Sequence, residues 1–191
     1  MGLFKAIREV ISFRKELKKS MGEFEKNLEK YLALTTDELK ELPEEELFNA
    51  VLTRTEKKVD DFGDTYEDMV KGINALSEKQ RIFYSVNYLE CEVNNGGLCQ
   101  FFVNSSRAVA PFVSEYLGVI GAVEHKELFD SFIKKYSIDV NDLSSFDCDD
   151  VDQFLEQAER YPFDEYDNAF YKMKPLEEYL TSFIKENINE F

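Results

Sequence analysis

Residues 94–104 decide the fold, and they read Asn-Asn-Gly-Gly-Leu-Cys-Gln-Phe-Phe-Val-Asn. The two adjacent glycines predict a sharp turn, because glycine adopts backbone conformations that other residues avoid and lets two chain segments approach closely. Leu98, Phe101 and Phe102 follow at once and are too apolar for a surface loop. We therefore expect two buried segments joined by a turn, with Gly96 at positive φ.

The polar residues of this stretch allow two interpretations. In the structural interpretation, the glycines form the turn, Gln100 is buried and hydrogen-bonded to the backbone, and Asn104 caps the next helix. In the functional interpretation, the same polar groups line a small-ligand pocket beside the turn. We favour the structural interpretation, because turn and capping roles account for each residue type. The residues concerned are Asn94, Asn95, Gly96, Gly97, Gln100 and Asn104.

Helical signals run through most of the remaining chain. Ser77 and Gln80 have the spacing of a capping box, and apolar residues then recur at helical spacing up to Val93. Glycine and proline are few, 8 and 4 of 191 residues, which favours helices over a strand-and-turn fold. We predict an all-α, single-domain bundle of about eight to ten helices. Residues 1–45 are expected to form an amphipathic helix and a short helix packed on a helical body, residues 46–191.

The first 20 residues differ from the rest of the chain in charge. They hold six Lys or Arg and two Glu, a net charge of +4, and the other 171 residues carry −20, for a total of −16. Phe4, Ile7 and Ile11 recur at helical spacing, so the segment is predicted to be a basic amphipathic helix. Such a helix either attaches to a membrane surface or packs on the acidic remainder of the chain, and we expect the packing.

Residues 139–168 are the most acidic part of the chain, with eleven Asp or Glu against one Arg. The run from Asp147 to Asp152 superficially resembles a calcium-binding loop. It lacks the glycine at position six and the glutamate at position twelve that such a loop needs, so we expect no metal site. We define the acidic face as the six residues predicted to bind a partner, Asp142, Asp147, Asp149, Asp150, Asp152 and Glu156.

No residue pattern indicates a catalytic or cofactor site. The single histidine, His125, lies among charged residues and is expected on the surface. The three cysteines, an odd number without metal-binding spacing, are expected to be reduced thiols. The sequence contains neither a phosphate-binding glycine loop nor a nucleophile signature. We therefore predict no catalytic residue and no cofactor.

The net charge also restricts the class of partner. A charge of −16 argues against direct nucleic-acid binding, because phosphates would be repelled, and favours a basic protein. The sequence shows neither a signal peptide nor a stretch of roughly 20 apolar residues that could cross a bilayer. We expect a cytoplasmic protein without stable membrane insertion. The oligomeric state is left open, a homodimer included.

Residues 89–106 resemble the signature of a bacterial family named after a DNA-mimic protein. The family pattern is Glu-x-x-Val-Asn-Asn-Gly-Gly-aromatic-x-Gln-Phe-Phe-x-Asn, which starts here at Glu90 and has Leu98 in place of the aromatic residue. A second similar segment runs from Tyr166 to Tyr171, and the resemblance extends from about Glu46 to the C-terminus. It implies an all-α fold, few known activities and, for particular members, DNA mimicry.

Three hypotheses about function follow. The first, which we favour, is a non-catalytic interaction protein whose acidic face binds a basic DNA-binding protein or nuclease, as a DNA mimic or inhibitor. The second is an enzyme or small-ligand binder with a pocket beside the turn in residues 94–104. The third is peripheral membrane attachment through residues 1–20. One continuous acidic face would favour the first hypothesis, whereas scattered acids would indicate a merely soluble protein.

Overall fold

The computed structural model describes residues 26–191, and the regular structure among them is entirely helical. The all-α prediction is therefore confirmed, with ten α-helical segments in this part of the chain. The basic segment, residues 1–20, lies outside the described residues, so its packing and the membrane alternative stay predictions. The division after residue 45 also stays a prediction.

Residue contacts divide the chain into two units with a boundary after Arg54. In the first unit, α1 includes residues 26–33, α2 is Thr36–Lys40, and α3 begins at Glu44. A capping box opens α2. The amide of Glu38 donates to the Thr35 hydroxyl at 3.3 Å, and the Thr35 amide donates to the Glu38 carboxylate at 2.8 Å.

The second unit, which starts at Thr55, is organised around one long helix, α5. This helix packs against α6, α9, α10 and the 3₁₀ helix Ser105–Val109, and it supplies more buried residues than any other helix of the described chain. The boundary after Arg54 falls within α3. The α-helices from α3 onward are α3 (Glu44–Asp60), α4 (Tyr66–Ala75), α5 (Glu78–Val103), α6 (Ala110–Val119), α7 (Val123–Tyr136), α8 (Val151–Arg160), α9 (Phe163–Phe170) and α10 (Leu176–Glu186).

The sequence correctly predicts how α5 begins and which side it buries. Ser77 is the N-cap and forms the expected capping box with Gln80. The apolar residues at helical spacing are fully buried, and this set is Ile82, Val86, Leu89 and Val93. Because these side chains share one side of the helix, burying them fixes the orientation of α5 in the core.

The predicted turn is a sharp break inside α5 rather than a loop between two separate elements. Gly96 has φ −156° and ψ 22°, and Gly97 has φ 80° and ψ 178°. The expectation of positive φ at Gly96 was therefore wrong, since the positive φ belongs to Gly97. The dihedral angles of Gly97 lie in a region that is essentially restricted to glycine.

Two side chains from the α9 region bond the backbone on either side of the break. The amide of Leu98 donates to Oδ1 of Asp167 at 2.9 Å. The hydroxyl of Tyr171 donates to the carbonyl of Val93 at 2.7 Å. Because the helical hydrogen-bond ladder cannot continue regularly through non-helical residues, these side chains serve as its replacement partners.

Replacing Gly97 with Ala is expected to lower the free energy of unfolding by about 3 kcal/mol or more. The backbone there strains any residue with a Cβ, and the added Cβ would overlap the Asp167 carboxylate. Moving that carboxylate would leave the buried Leu98 amide without its acceptor. Chemical denaturation of the purified variant measures the loss.

Gly121→Ala is the matched control for this substitution. Gly121 also has a positive φ, 78°, but a Cβ there would meet no other atom within 4 Å. We expect a loss of about 1–2 kcal/mol, the cost of left-handed backbone alone. Equal losses for the two variants would show that the contact with Asp167 is unimportant.

Candidate functional site

The carboxylate of Glu92 connects the two halves of α5 with the turn that follows. Its oxygen atoms accept hydrogen bonds from Gln100 Nε2 at 2.6 Å, from Asn104 Nδ2 at 2.9 Å and from Ser106 Oγ at 2.7 Å. Glu92 lies before the break, and its three partners lie after it. One charged group therefore holds both sides of the break in a fixed geometry.

This network corrects two expectations about the 94–104 stretch. Gln100 is half-buried and bonds a side chain rather than the backbone. Asn104 is the N-cap of the 3₁₀ helix Ser105–Val109, but its side chain makes no capping bond because it is engaged by Glu92. Asn94 and Asn95 are exposed. A ligand pocket formed by these residues stays a prediction, although two of the four amides already have partners.

A second glutamate of α5, Glu90, caps the start of α10. It is only 8% exposed, and its Oε1 accepts the amide of Leu176 at 2.6 Å. Pro175, the N-cap residue, makes no side-chain capping bond, so Glu90 supplies the acceptor from a distant helix. Burial raises the pKa of the Glu90 carboxyl to about 7, because a buried carboxylate loses its hydration.

Four residues of the acidic face lie at or on α8. Asp149 and Asp150 precede the helix, and Asp152 and Glu156 lie one turn apart on it. Asp150 is the N-cap and accepts the amide of Gln153 at 2.9 Å. All four side chains are exposed. Since residues four apart share one side of a helix, Asp152 and Glu156 present their carboxylates together.

The other two residues of the acidic face, Asp142 and Asp147, flank the 3₁₀ helix Ser144–Phe146 and line a cavity of about 240 Å³. Arg107 lines the same cavity and forms an ion pair with Asp147. The Ser144 hydroxyl and amide donate to Asp142 at 2.6 and 3.1 Å, which lowers the pKa of that carboxyl. The acidic face thus has two groups, separated along the chain by Cys148.

His125 is buried, so the prediction of a surface position was wrong. It is 2% exposed, and its ring packs edge-on against Phe170 and Tyr179, with centroids 5.1 and 6.1 Å away. His125 is buried because residues four and seven positions apart share one side of a helix, so it lies on the same side of α7 as the buried Phe129 and Phe132. Burial lowers the pKa of its imidazole.

The remaining titratable groups form no candidate metal site in the described part of the chain. Within residues 26–191, no group of three or more His, Cys, Asp or Glu side chains is placed to hold a metal ion. Cys91, Cys99 and Cys148 are free thiols, exposed, buried and half-buried respectively. None of the helices of residues 26–191 combines the length and apolar character needed to cross a bilayer.

The helix break, the Glu92 network and the acidic face all lie within one family match. Residues 74–187 match the family described as DMP19-like protein. This chain belongs to the DMP19-like protein family. The match begins later than the predicted start near Glu46, so it covers α5 to α10 and only the end of α4. Comparisons with curated proteins and with solved structures gave no match.

The sequence indicated the segments of the DMP19-like chain that form these contacts, but not their roles. Glu90 belongs to the family pattern, and Asp167 and Tyr171 lie in the second similar segment. Their hydrogen bonds join residues 69 to 86 positions apart. Glu92 occupies an unspecified position of the pattern, and its position just before the turn was the only available signal.

The free energy of unfolding is expected to fall as pH rises from about 4.5 to about 7, because of Glu90. The unfolded carboxyl releases its proton near its ordinary pKa of 4.5, whereas the folded carboxyl keeps it up to about 7. The folded state thus binds more protons in this window, so raising the pH favours unfolding. The loss is at most about 3 kcal/mol, since one pKa unit corresponds to about 1.4 kcal/mol.

Glu90→Gln isolates this effect, because glutamine keeps an acceptor for the Leu176 amide and does not titrate. Denaturation of both proteins is measured at several pH values between about 5 and 8. We expect the variant to gain stability relative to the parent as pH rises. The lowered pKa of His125 acts in the opposite direction, but it is common to both proteins. A difference that does not change with pH would refute the role of Glu90.

Proposed function

We propose that this chain is a non-catalytic interaction protein whose acidic face binds a basic protein and competes with DNA for it. The observation that supports the proposal most directly is the exposure of the acidic side chains. Of the eleven acidic residues between positions 139 and 168, ten are exposed and only Asp167 is half-buried. Membership of the DMP19-like family supports the same role, since the family resemblance implies DNA mimicry for particular members.

The spacing of charge along α8 supports mimicry of a phosphate backbone. Helix α8 carries three carboxylates in its ten residues, and Asp149 and Asp150 lie directly before it. A helix rises 1.5 Å per residue, so the helix alone presents roughly one negative charge per 5 Å. One strand of duplex DNA carries about one phosphate per 3.4 Å of axis. With Asp149 and Asp150 at its start, the α8 segment approaches the charge density of one strand, and Asp142 and Asp147 are expected to extend it.

The nearby arginines are engaged by the chain itself. Arg107 pairs with Asp147, and Arg160 donates to the carbonyl of Ser145 at 3.1 Å while its guanidinium lies over the Tyr161 ring. The carboxylates on α8 are thus available to cations of a partner. A surface of this kind accelerates association with a basic protein through long-range attraction, and salt weakens the complex.

The proposal is tested with a variant that neutralises four residues of the acidic face, namely Asp149→Asn, Asp150→Asn, Asp152→Asn and Glu156→Gln. Asparagine remains a good N-cap at position 150, so α8 is expected to persist. The matched control removes four exposed acids elsewhere, namely Glu115→Gln, Glu124→Gln, Glu127→Gln and Glu186→Gln. Both variants have the same net charge, so any difference in partner binding between them is due to where the neutralised residues lie.

Proteins retained from a bacterial lysate by the immobilised parent are identified, and each purified candidate is then tested with labelled duplex DNA. We expect the parent and the control variant to displace the DNA at low salt. The acidic-face variant should do so at least about 10-fold less effectively, which corresponds to about 1.4 kcal/mol. The proposal would be refuted by a partner that stays bound at high salt, is not displaced by DNA, and binds the acidic-face variant as tightly as the parent.

A further inference from the structure

Helix α8 has two exposed apolar side chains and no buried residue at all. Val151 is 73% exposed, the largest value among the large hydrophobic side chains of the described chain, and Leu155 is 54% exposed. The two residues lie four positions apart and therefore share one side of the helix. We call this pair the apolar strip.

One flank of the apolar strip and the far side of α8 are attached to the rest of the second unit. At 100° per residue, Phe154 and Ala158 lie on the flank next to Val151, and Gln157 lies further round the helix. All three are half-buried. Gln157 Nε2 and the guanidinium of Arg160 both donate to the carbonyl of Ser145, at 2.9 and 3.1 Å. These contacts define the orientation of the helix, and in that orientation the apolar strip points to solvent.

Carboxylates border the apolar strip on its exposed flank. At 100° per residue, Asp152 and Glu159 lie on the flank next to Leu155, and Glu156 lies just beyond them. All three are exposed. Phosphate mimicry alone gives no reason to expose valine and leucine among these charges, whereas an apolar patch with a polar rim is typical of a protein interaction site.

We propose that the apolar strip receives an amphipathic, basic helix of a partner protein. Apolar side chains of that helix would cover Val151 and Leu155, and its Lys or Arg side chains would face Asp152, Glu156 and Glu159. This inference rests on the proposed function of the acidic face and adds the chemistry of the partner, which must be apolar as well as cationic. The carboxylate border disfavours an anionic membrane surface at the same place.

The test uses a defined probe, a synthetic helical peptide of about 18 residues with leucines on one side and lysines on the other. A second peptide of the same composition has its order shuffled so that the two sides are lost. The full chain, labelled with ¹⁵N, is titrated with each peptide. We expect the amphipathic peptide to shift the α8 amides and the shuffled peptide to bind more weakly.

The decisive variant is Val151→Ser with Leu155→Ser, which leaves the charge unchanged. The matched control is Val119→Ser with Val123→Ser, which removes two other exposed apolar side chains, 49% and 54% exposed. We expect the apolar-strip variant to bind the amphipathic peptide at least about 10-fold more weakly, and the control to match the parent. Circular dichroism of each variant checks that its helices are intact.

The outcomes separate this inference from the proposed function. Weaker peptide binding by both the apolar-strip variant and the acidic-face variant would support this inference, whether or not DNA competes for a partner from the lysate. Undiminished peptide binding by the acidic-face variant would overturn it, because the lysines of the peptide would then not face Asp152 and Glu156. Equal affinities of the two serine variants would overturn the inference. A parent dimer in sedimentation that becomes a monomer only in the apolar-strip variant would also overturn it, because a second copy would then cover the strip.

Discussion

The break in α5 is the constraint on which the rest of the structure depends. Backbone groups inside a protein need hydrogen-bond partners, and Gly97 leaves the helical conformation within a buried helix. Asp167 and Tyr171 bond the backbone on the two sides of that residue. The α9 region therefore supplies hydrogen-bond partners to the α5 backbone in addition to packing against it. Leaving one such buried group unpaired costs about 1–3 kcal/mol, a large share of the stability of a small domain.

A hydrogen bond and an ion pair connect the break in α5 with the acidic face. Glu92 holds Ser106, and the next residue, Arg107, pairs with Asp147. Two polar contacts, joined by the peptide bond between Ser106 and Arg107, therefore connect the first half of α5 with one residue of the acidic face. The motif that fixes the path of the chain therefore also fixes the position of one predicted partner-binding residue.

Local patterns predicted the helices well, whereas contacts between distant residues could not be predicted. The capping box of Ser77 and Gln80 depends on residues three apart, so the sequence shows it directly. The acceptor for the Leu98 amide lies 69 residues away, and nothing near Leu98 identifies it. His125 shows a further limit, because its charged neighbours in sequence lie on other sides of the helix. Exposure of the acidic face was predictable from charge, but the ion pair of Asp147 with Arg107 was not.

Native-state hydrogen exchange at the Leu98 amide tests the central claim most directly. In the parent, this amide should exchange only through global unfolding, because it is buried and bonded to Asp167. In Asp167→Ala it should exchange through a local opening of lower free energy, while the amide of Leu89 keeps the global value. Fast exchange of Leu98 in the parent would contradict the account. An Asp167→Ala variant in which both amides change equally would contradict it as well.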